Sequence, residues 1–157
     1  MIEIERKFLI KSTDYRKEAI TKERIVQGFL NTDPQRTVRV RIKGDTGYLT
    51  VKGPSNAAGT SRFEWEQKIV LKEAEILLGF CEETLLEKQR FNIPVGKYRF
   101  EVDEFQGENE GLILAEIELQ SENQAFPKPA WLGEEVTGQI KYYNSQLSKK
   151  PYKSWKR

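Results

Sequence analysis

Charged and apolar side chains alternate over the first residues of the chain. Glu3, Glu5 and Lys7 stand at every second position, while Ile4 and Phe8 take positions of the other parity. Because successive side chains of a β-strand point to opposite faces, this pattern predicts a strand over residues 2–10. One face of that strand carries two carboxylates and an ammonium group in a row.

The same two-residue period returns along most of the chain. Arg39, Arg41 and Lys43 alternate with valine and isoleucine, and the Gly-Asp-Thr-Gly turn that follows predicts a hairpin. Helical spacing is rarer and predicts a helix over residues 72–80 and a short one over 121–126. Strands are predicted over residues 2–10, 25–31, 37–43, 48–52, 62–70, 86–93, 98–105 and 112–119.

These elements predict a mainly β fold. About eight strands joined mostly by short turns are typical of an antiparallel sheet or barrel. No linker composition divides the chain, so residues 1–148 are expected to form a single domain. Residues 149–157 are rich in lysine and arginine and are expected to form a frayed basic tail.

The charged strand faces can be interpreted in two ways. In the first, each face simply meets water, as one face of an antiparallel sheet often does. In the second, the faces turn inward and line a polar lumen. Like charges cluster within strands, as at Arg39 and Arg41 or at Glu64 and Glu66, whereas solvated surfaces usually mix the two signs. The clustering favours a lumen that binds a metal and a polyanion together, but periodicity alone leaves the direction of the faces open.

Composition excludes several kinds of site. The chain has no histidine, which rules out serine–histidine triads, HExxH zinc sites and histidine general bases. Cys81 is the only cysteine, so an intrachain disulfide is excluded. A bound metal would therefore have oxygen ligands, which favours hard cations such as Mg²⁺, Mn²⁺ or Ca²⁺.

The charge balance bears on partners and location. The 26 Lys and Arg residues nearly match the 24 Asp and Glu residues, so neither a nucleic acid nor a membrane is an expected partner. No apolar run reaches the length of a membrane span, and no signal-peptide pattern precedes the first strand. The expected location is the cytoplasm.

The motif Glu3-x-Glu5-x-Lys7 has companions along residues 1–147, in the order Gln27-Gly28-Phe29-Leu30, Arg39-x-Arg41, Lys52, Glu64-x-Glu66, Glu87-Lys88-x-Arg90, Asp103-Glu104-Phe105-x-Gly107, Glu116-x-Glu118 and Gly133-Glu134-Glu135-Val136-Thr137. Together they resemble the motifs of the CYTH superfamily, also called triphosphate tunnel metalloenzymes. The resemblance implies an eight-stranded antiparallel β-barrel tunnel with a charged interior and a few helices packed outside.

The resemblance also implies how the carboxylates are used. Family members bind a linear triphosphate together with a divalent metal, here expected to be Mg²⁺ or Mn²⁺. The implied metal ligands are Glu3, Glu5, Glu116 and Glu118. Asp103 is implied either as a further metal ligand or as an acid that orients an arginine.

The cations complete the implied site. Arginine offers a planar fork to phosphate oxygens, whereas lysine acts as a point charge. The implied phosphate-binding residues are Lys7, Arg39, Arg41, Lys52, Lys88, Arg90 and Lys141. The residues expected to take part in catalysis are Glu5, Glu64, Glu66 and Lys88. Two departures from the family pattern stand out: Gln139 replaces an acid near Lys141, and Phe29 replaces a tyrosine.

The implied activity is metal-dependent hydrolysis of a triphosphate, first of all inorganic tripolyphosphate to pyrophosphate and phosphate. Class IV adenylate cyclase and thiamine triphosphatase are alternatives on the same fold, but no pocket for an organic group is evident in the sequence. A non-catalytic polyphosphate-binding module would keep the cations without needing the full set of acids. The expected partner is a small-molecule triphosphate. The sequence does not decide whether the chain forms a homodimer.

Overall fold

The strands of this protein close into an antiparallel barrel. The computed structural model describes residues 1–155, apart from the side chain at position 83. Within these residues the strands are β1 Ile2–Ile10, β2 Thr21–Asn31, β3 Thr37–Lys43, β4 Thr46–Lys52, β5 Ser61–Ile69, β6 Glu82–Val95, β7 Tyr98–Phe105, β8 Ile113–Glu118 and β9 Leu132–Glu135. The first eight run in the order β5-β4-β3-β2-β6-β7-β8-β1, and pairing of β1 with β5 closes the ring. The predicted eight-stranded barrel is confirmed.

Strand β1 is the seam of the barrel because it changes partner along its length. Glu3 lies opposite Arg62 of β5, and Glu5 lies opposite Glu118 of β8. From Phe8 onward, β1 also pairs with the short strand β9, on the side opposite β8. The sequence did not predict β9, because four residues are too few for alternation to be recognised.

Three α-helices accompany the barrel within residues 1–155, namely α1 Tyr15–Glu18, α2 Leu71–Leu78 and α3 Asn144–Lys149. Short 3₁₀ turns span Gly107–Asn109, Ile140–Tyr142 and Tyr152–Ser154. No helix in this part of the chain is long and apolar enough to cross a membrane.

Helix α2 matches the helix predicted over 72–80, but the helix predicted over 121–126 is wrong. That segment has no regular structure. Pro127 disfavours helical backbone at Phe126. The side chain of Gln124 accepts a hydrogen bond from the backbone N–H of Gln120 at 2.7 Å, which fixes a turn in place of a helix.

The outer faces of β1, β6, β7 and β8 pack into an apolar core. Tyr15 from α1 is fully buried there, and the rings of Phe100 and Trp131 meet edge to face at 5.4 Å. Phe100 and Val102 alternate along β7 with charged residues of the other face. This outer core therefore leaves the charged faces of the same strands directed into the barrel.

A second apolar cluster lies at one end of the barrel. Leu147 of α3 is fully buried and packs with Phe29, Leu86 and Phe105, which come from β2, β6 and β7. Helix α3 contacts β2 and β6. Since Phe29 also lines the central cavity, this cluster forms the apolar end of the lumen.

The C-terminal segment is packed as far as Trp155, so the expectation of a frayed tail is wrong for its described part. The backbone N–H of Tyr152 donates to Asn109 Oδ1 at 2.8 Å, and Trp155 Nε1 donates to Lys150 O at 3.0 Å. The rings of Tyr142 and Trp155 lie 5.4 Å apart. The rings of Tyr142, Tyr152 and Trp155 thus hold the segment. Residues 156–157 of the predicted tail lie outside the described residues.

Candidate active site

The inward faces of the barrel strands line a polar cavity of about 290 Å³. Its walls carry the residues that share one parity along each strand, so the prediction that the charged faces turn inward is confirmed. Among the predicted site residues, those that line the cavity are Glu3, Glu5, Lys7, Arg39, Arg41, Lys52, Glu64, Glu66, Lys88, Arg90, Glu116 and Glu118. Asp103 and Lys141 are not among them.

Cross-strand register brings acids and bases together on one side of the cavity. Lys52 of β4 lies directly opposite Glu64 of β5. The Lys52 ammonium is 3.1 Å from Glu3 Oε1 and 3.2 Å from Glu64 Oε2. This lysine therefore forms ion pairs with two of the carboxylates that line the cavity.

Two arginines on β3 form a strongly cationic wall. Arg39 and Arg41 share the carboxylate of Glu66 at 3.2 and 3.5 Å. The Nε atoms of both arginines are buried and have no hydrogen-bond partner. Burial, together with the charges of Arg39 and Arg90, lowers the pKa of Arg41 to about 10. One carboxylate shared by two crowded guanidinium groups leaves positive charge and spare N–H donors for an anion.

Glu5 and Glu116 form a half-buried carboxyl pair within hydrogen-bonding reach of each other. Burial and the charges of Glu116 and Glu3 raise the pKa of Glu5 well above its usual value. Burial also opposes ionisation of Glu116, but the charge of Lys7 and the hydrogen bond from Glu5 hold its pKa at about 2. The pKa values of the two neighbouring carboxyls are thus shifted in opposite directions, as is common where two like charges meet.

Asp103 does not line the cavity but joins two cations that do, Lys88 and Arg90. Its carboxylate accepts from Arg90 Nε and Nη2 at 2.8 and 2.9 Å, and Lys88 Nζ is 2.8 Å from Oδ2. Its side chain is almost completely buried. Burial opposes its ionisation, yet Arg90 and Lys88 keep its pKa well below the usual range. Of the two roles considered for Asp103, the contacts match the acid that orients an arginine and do not match a metal ligand.

Lys141 lies outside the cavity, contrary to the expectation that it binds phosphate. Its side chain is exposed, and its ammonium sits 4.9 Å from the ring centroid of Trp155. The 3₁₀ turn Ile140–Tyr142 directs it toward the packed C-terminal segment. The residues of this region that line the cavity are Tyr143, Asn144 and Ser145.

Several further residues line the cavity but were not predicted as site residues. They are Phe29, Thr37, Lys43, Arg62, Arg99 and Glu101 on strands, with Tyr143, Asn144 and Ser145 near the start of α3. The charged strand residues could have been found, because each shares the parity of a predicted neighbour. The α3 residues carry no such signal, since only tertiary packing places them there.

Comparison with known proteins identifies the family. A family model for the CYTH domain matches residues 1–152. The chain belongs to the CYTH domain family. It is 48% identical over 156 residues to the inorganic triphosphatase of Acetivibrio thermocellus, with 98% of this chain and 97% of that protein covered. It is 37% identical to the inorganic triphosphatase of Nitrosomonas europaea, with 94% and 97% covered. A solved inorganic triphosphatase structure, 34% identical, superposes with a TM-score of 0.65 and covers 93% of this chain and 97% of that one.

The carboxylates of this CYTH domain fit a hard divalent cation in their chemistry. Glu3, Glu5, Glu116 and Glu118 offer only oxygen donors from the adjacent strands β1 and β8. A divalent cation among these carboxylates would offset the repulsion between Glu5 and Glu116. Within residues 1–155, no three acidic side chains converge closely enough to hold a metal in this conformation.

Proposed function

We propose that this CYTH domain hydrolyses inorganic tripolyphosphate to pyrophosphate and phosphate with the help of a divalent metal. The observation that carries the proposal is one polar cavity that is lined both by a cationic wall and by a cluster of carboxylates. The relatives named inorganic triphosphatase, which match almost the whole chain, support the same substrate. Mg²⁺ or Mn²⁺ as the metal, and a cytoplasmic location, belong to this proposal.

Binding of the substrate is assigned to the cationic wall. Arg39 and Arg41 have unpaired Nε donors, and guanidinium groups match the geometry of phosphate oxygens. A triphosphate would also relieve the mutual repulsion that lowers the pKa of Arg41. The proposed phosphate-binding residues are Lys7, Arg39, Arg41, Lys52, Lys88 and Arg90.

The proposed reaction is direct attack of water on a terminal phosphorus atom. The water oxygen forms the new P–O bond, the bridging P–O bond breaks, and the electron pair leaves with pyrophosphate. The guanidinium groups stabilise the charge on the transferring group and on the leaving group. A carboxylate of the set Glu5, Glu64 and Glu66 accepts the proton of the water. When bound to Glu3, Glu5, Glu116 and Glu118, a divalent cation supplies charge neutralisation and a water of lowered pKa.

The aromatic residues of the cavity favour an inorganic substrate over one with an organic group. Within the described residues, the aromatic side chains that line the cavity are Phe29 and Tyr143. Phe29 is packed in the apolar end of the lumen. The ring of Tyr143 already faces Lys7 at 5.5 Å and Arg62 at 5.7 Å. Neither ring is free to stack on adenine or thiamine, as a cyclase or a thiamine triphosphatase would require.

A screen of phosphate release tests the proposed function. Tripolyphosphate, ATP, thiamine triphosphate and pyrophosphate are each supplied with Mg²⁺, with Mn²⁺ and with a chelator. We expect tripolyphosphate to be cleaved faster than the other substrates and only when a divalent metal is present. Cyclic AMP as the main product from ATP would instead establish the cyclase, and tight binding without turnover would establish the binding module.

The pH dependence of the reaction should show a loss of activity on the alkaline side. Burial lowers the pKa of Lys88 to about 8, although Asp103 acts in the opposite direction. Above this pH the free enzyme loses a phosphate-binding charge, so kcat/KM for tripolyphosphate should be about tenfold lower at pH 9 than at pH 7. A guanidinium stays charged throughout this range, so Lys88→Arg should move the decline to higher pH. A profile that stays flat to pH 9.5 in the wild type would contradict this role of Lys88.

A further inference from the structure

The amide side chains of Asn144 and Gln27 meet at the cavity wall through a single oxygen atom of Asn144. Asn144 Oδ1 accepts a hydrogen bond from Lys88 Nζ at 2.9 Å and another from Gln27 Nε2 at 2.8 Å. Gln27 is fully buried on β2, and Lys88 is 1% exposed on β6. Asn144 begins α3 and lines the cavity together with Lys88 and Arg90.

Chemistry fixes the orientation of both amides. An ammonium group can only donate, so the atom of Asn144 that faces Lys88 must be the oxygen. Gln27 must then present its NH₂ group to the same oxygen. Its own carbonyl, Oε1, is left buried without a hydrogen-bond partner. Lys88 thereby fixes the orientation of both neutral side chains.

The unpaired carbonyl of Gln27 costs stability, and the fixed orientation of Asn144 leaves its NH₂ group available. A buried unpaired carbonyl is unfavourable, and an apolar residue of similar shape at position 27 would avoid it. The consequence lies at Asn144, whose Nδ2 group donates to no other group in the described part of the chain. With its oxygen held against the wall, Asn144 has this NH₂ group left for the cavity.

We propose that Asn144 is a substrate-binding residue whose Nδ2 group donates to a phosphate oxygen, and that Gln27 is the positioning residue that holds it in this orientation. The inference rests on the proposed function, since it needs a triphosphate in the cavity. A neutral donor complements the cations, because it directs a phosphate oxygen without adding charge to an already crowded wall. The competing explanation is that the same hydrogen bonds only tie α3 to the barrel.

Asn144→Asp separates the two explanations when it is compared with Gln27→Leu, which adds no charge to the cavity. Aspartate keeps an oxygen for both Lys88 and Gln27, so a tether between α3 and the barrel survives. It lacks the NH₂ donor and places an anion in the cavity. We expect the melting temperature to be unchanged or higher and tripolyphosphate binding, measured by calorimetry with Ca²⁺, to weaken by about tenfold or more. Wild-type affinity in this variant would overturn the proposal.

Gln27→Leu tests the positioning role without adding charge. It removes the unpaired carbonyl together with the bond to Asn144. We expect the melting temperature to be maintained or raised, KM for tripolyphosphate to rise about threefold to tenfold, and kcat to change little. A lower melting temperature with unchanged KM would mean a purely structural role and would overturn the proposal.

The matched control is Gln146→Leu, on the same helix. The Nε2 group of Gln146 donates to Thr32 O and to Ser145 Oγ, both at 3.4 Å, and Gln146 itself does not line the cavity, so KM should stay close to the wild-type value. If wild-type protein cleaves no triphosphate in the screen but binds tripolyphosphate, the proposed function fails and the binding assays still decide the role of Asn144. If wild-type protein does not bind tripolyphosphate at all, both proposals fail.

Discussion

Replacing Glu116 with glutamine is expected to lower kcat/KM for tripolyphosphate by at least about 100-fold while the barrel stays folded. Glutamine keeps the side-chain volume but is a much poorer ligand for a hard cation. It also removes the ionised member of the half-buried pair with Glu5, whose charge Lys7 stabilises. The cationic wall is untouched, so tripolyphosphate binding measured by calorimetry should be retained at least in part.

The control for this substitution is Glu87→Gln. Glu87 lies on β6 beside Lys88 but on the opposite face, where its carboxylate meets Arg24 at 2.8 Å. The chemical change is the same, and the position is outside the cavity. Activity should remain close to that of the wild type. Glu118→Gln is expected to behave like Glu116→Gln, and full activity in both would remove these two residues from the proposed metal site.

The parity of charged residues was enough to predict much of the site. Glu3 and Glu5, or Arg39 and Arg41, stand two apart, and a strand must place such pairs on one face. The outer core settled which face is inward. Once Phe100 packs outside, Glu101 on the same strand must point into the barrel. The same rule would have found Glu101, although it had not been predicted as a site residue.

The parts that the sequence did not predict depend on contacts between distant elements. Asp103 shares the parity of Glu101, yet its carboxylate is taken up by Lys88 and Arg90 across the β6–β7 pairing. Parity gives a direction but not the depth at which a side chain ends. Lys141 lies in a 3₁₀ turn, which has no alternating pattern, and aromatic packing at Trp155 decides its position.

Position 144 illustrates the same limit. Asn144 reaches the cavity because Leu147, one turn further along α3, is buried at the apolar end of the lumen. The contact with Gln27 joins residues 117 positions apart in the chain. A single sequence contains no local signal for such a contact, which becomes visible only after α3 has been placed against β2 and β6.

Asp103→Asn should cause a large loss of stability. The substitution leaves Lys88 and Arg90 buried with no ionised partner at hydrogen-bonding distance apart from the more exposed Glu101, which is 3.3 Å from Arg90. Breaking a buried ion pair by removing one partner costs about 3–5 kcal/mol. For a protein of this size, a thermal melt at pH 7 should show a decrease of about 6–20 °C.

The effect of Asp103→Asn on the melting temperature should depend on pH in a definite direction. Because Arg90 and Lys88 keep the pKa of Asp103 below its unfolded value, its contribution to stability is complete above that value, about pH 4, and is lost as the pH falls further. The difference in melting temperature between the wild type and Asp103→Asn should therefore be constant near neutrality and shrink in acid. Glu101→Gln is the control on the same strand; its carboxylate is 29% exposed, and the substitution should cost only about 0–1 kcal/mol. If Asp103→Asn melts like the wild type but no longer binds the divalent metal, Asp103 is a metal ligand and its assignment as the acid that orients Arg90 is wrong.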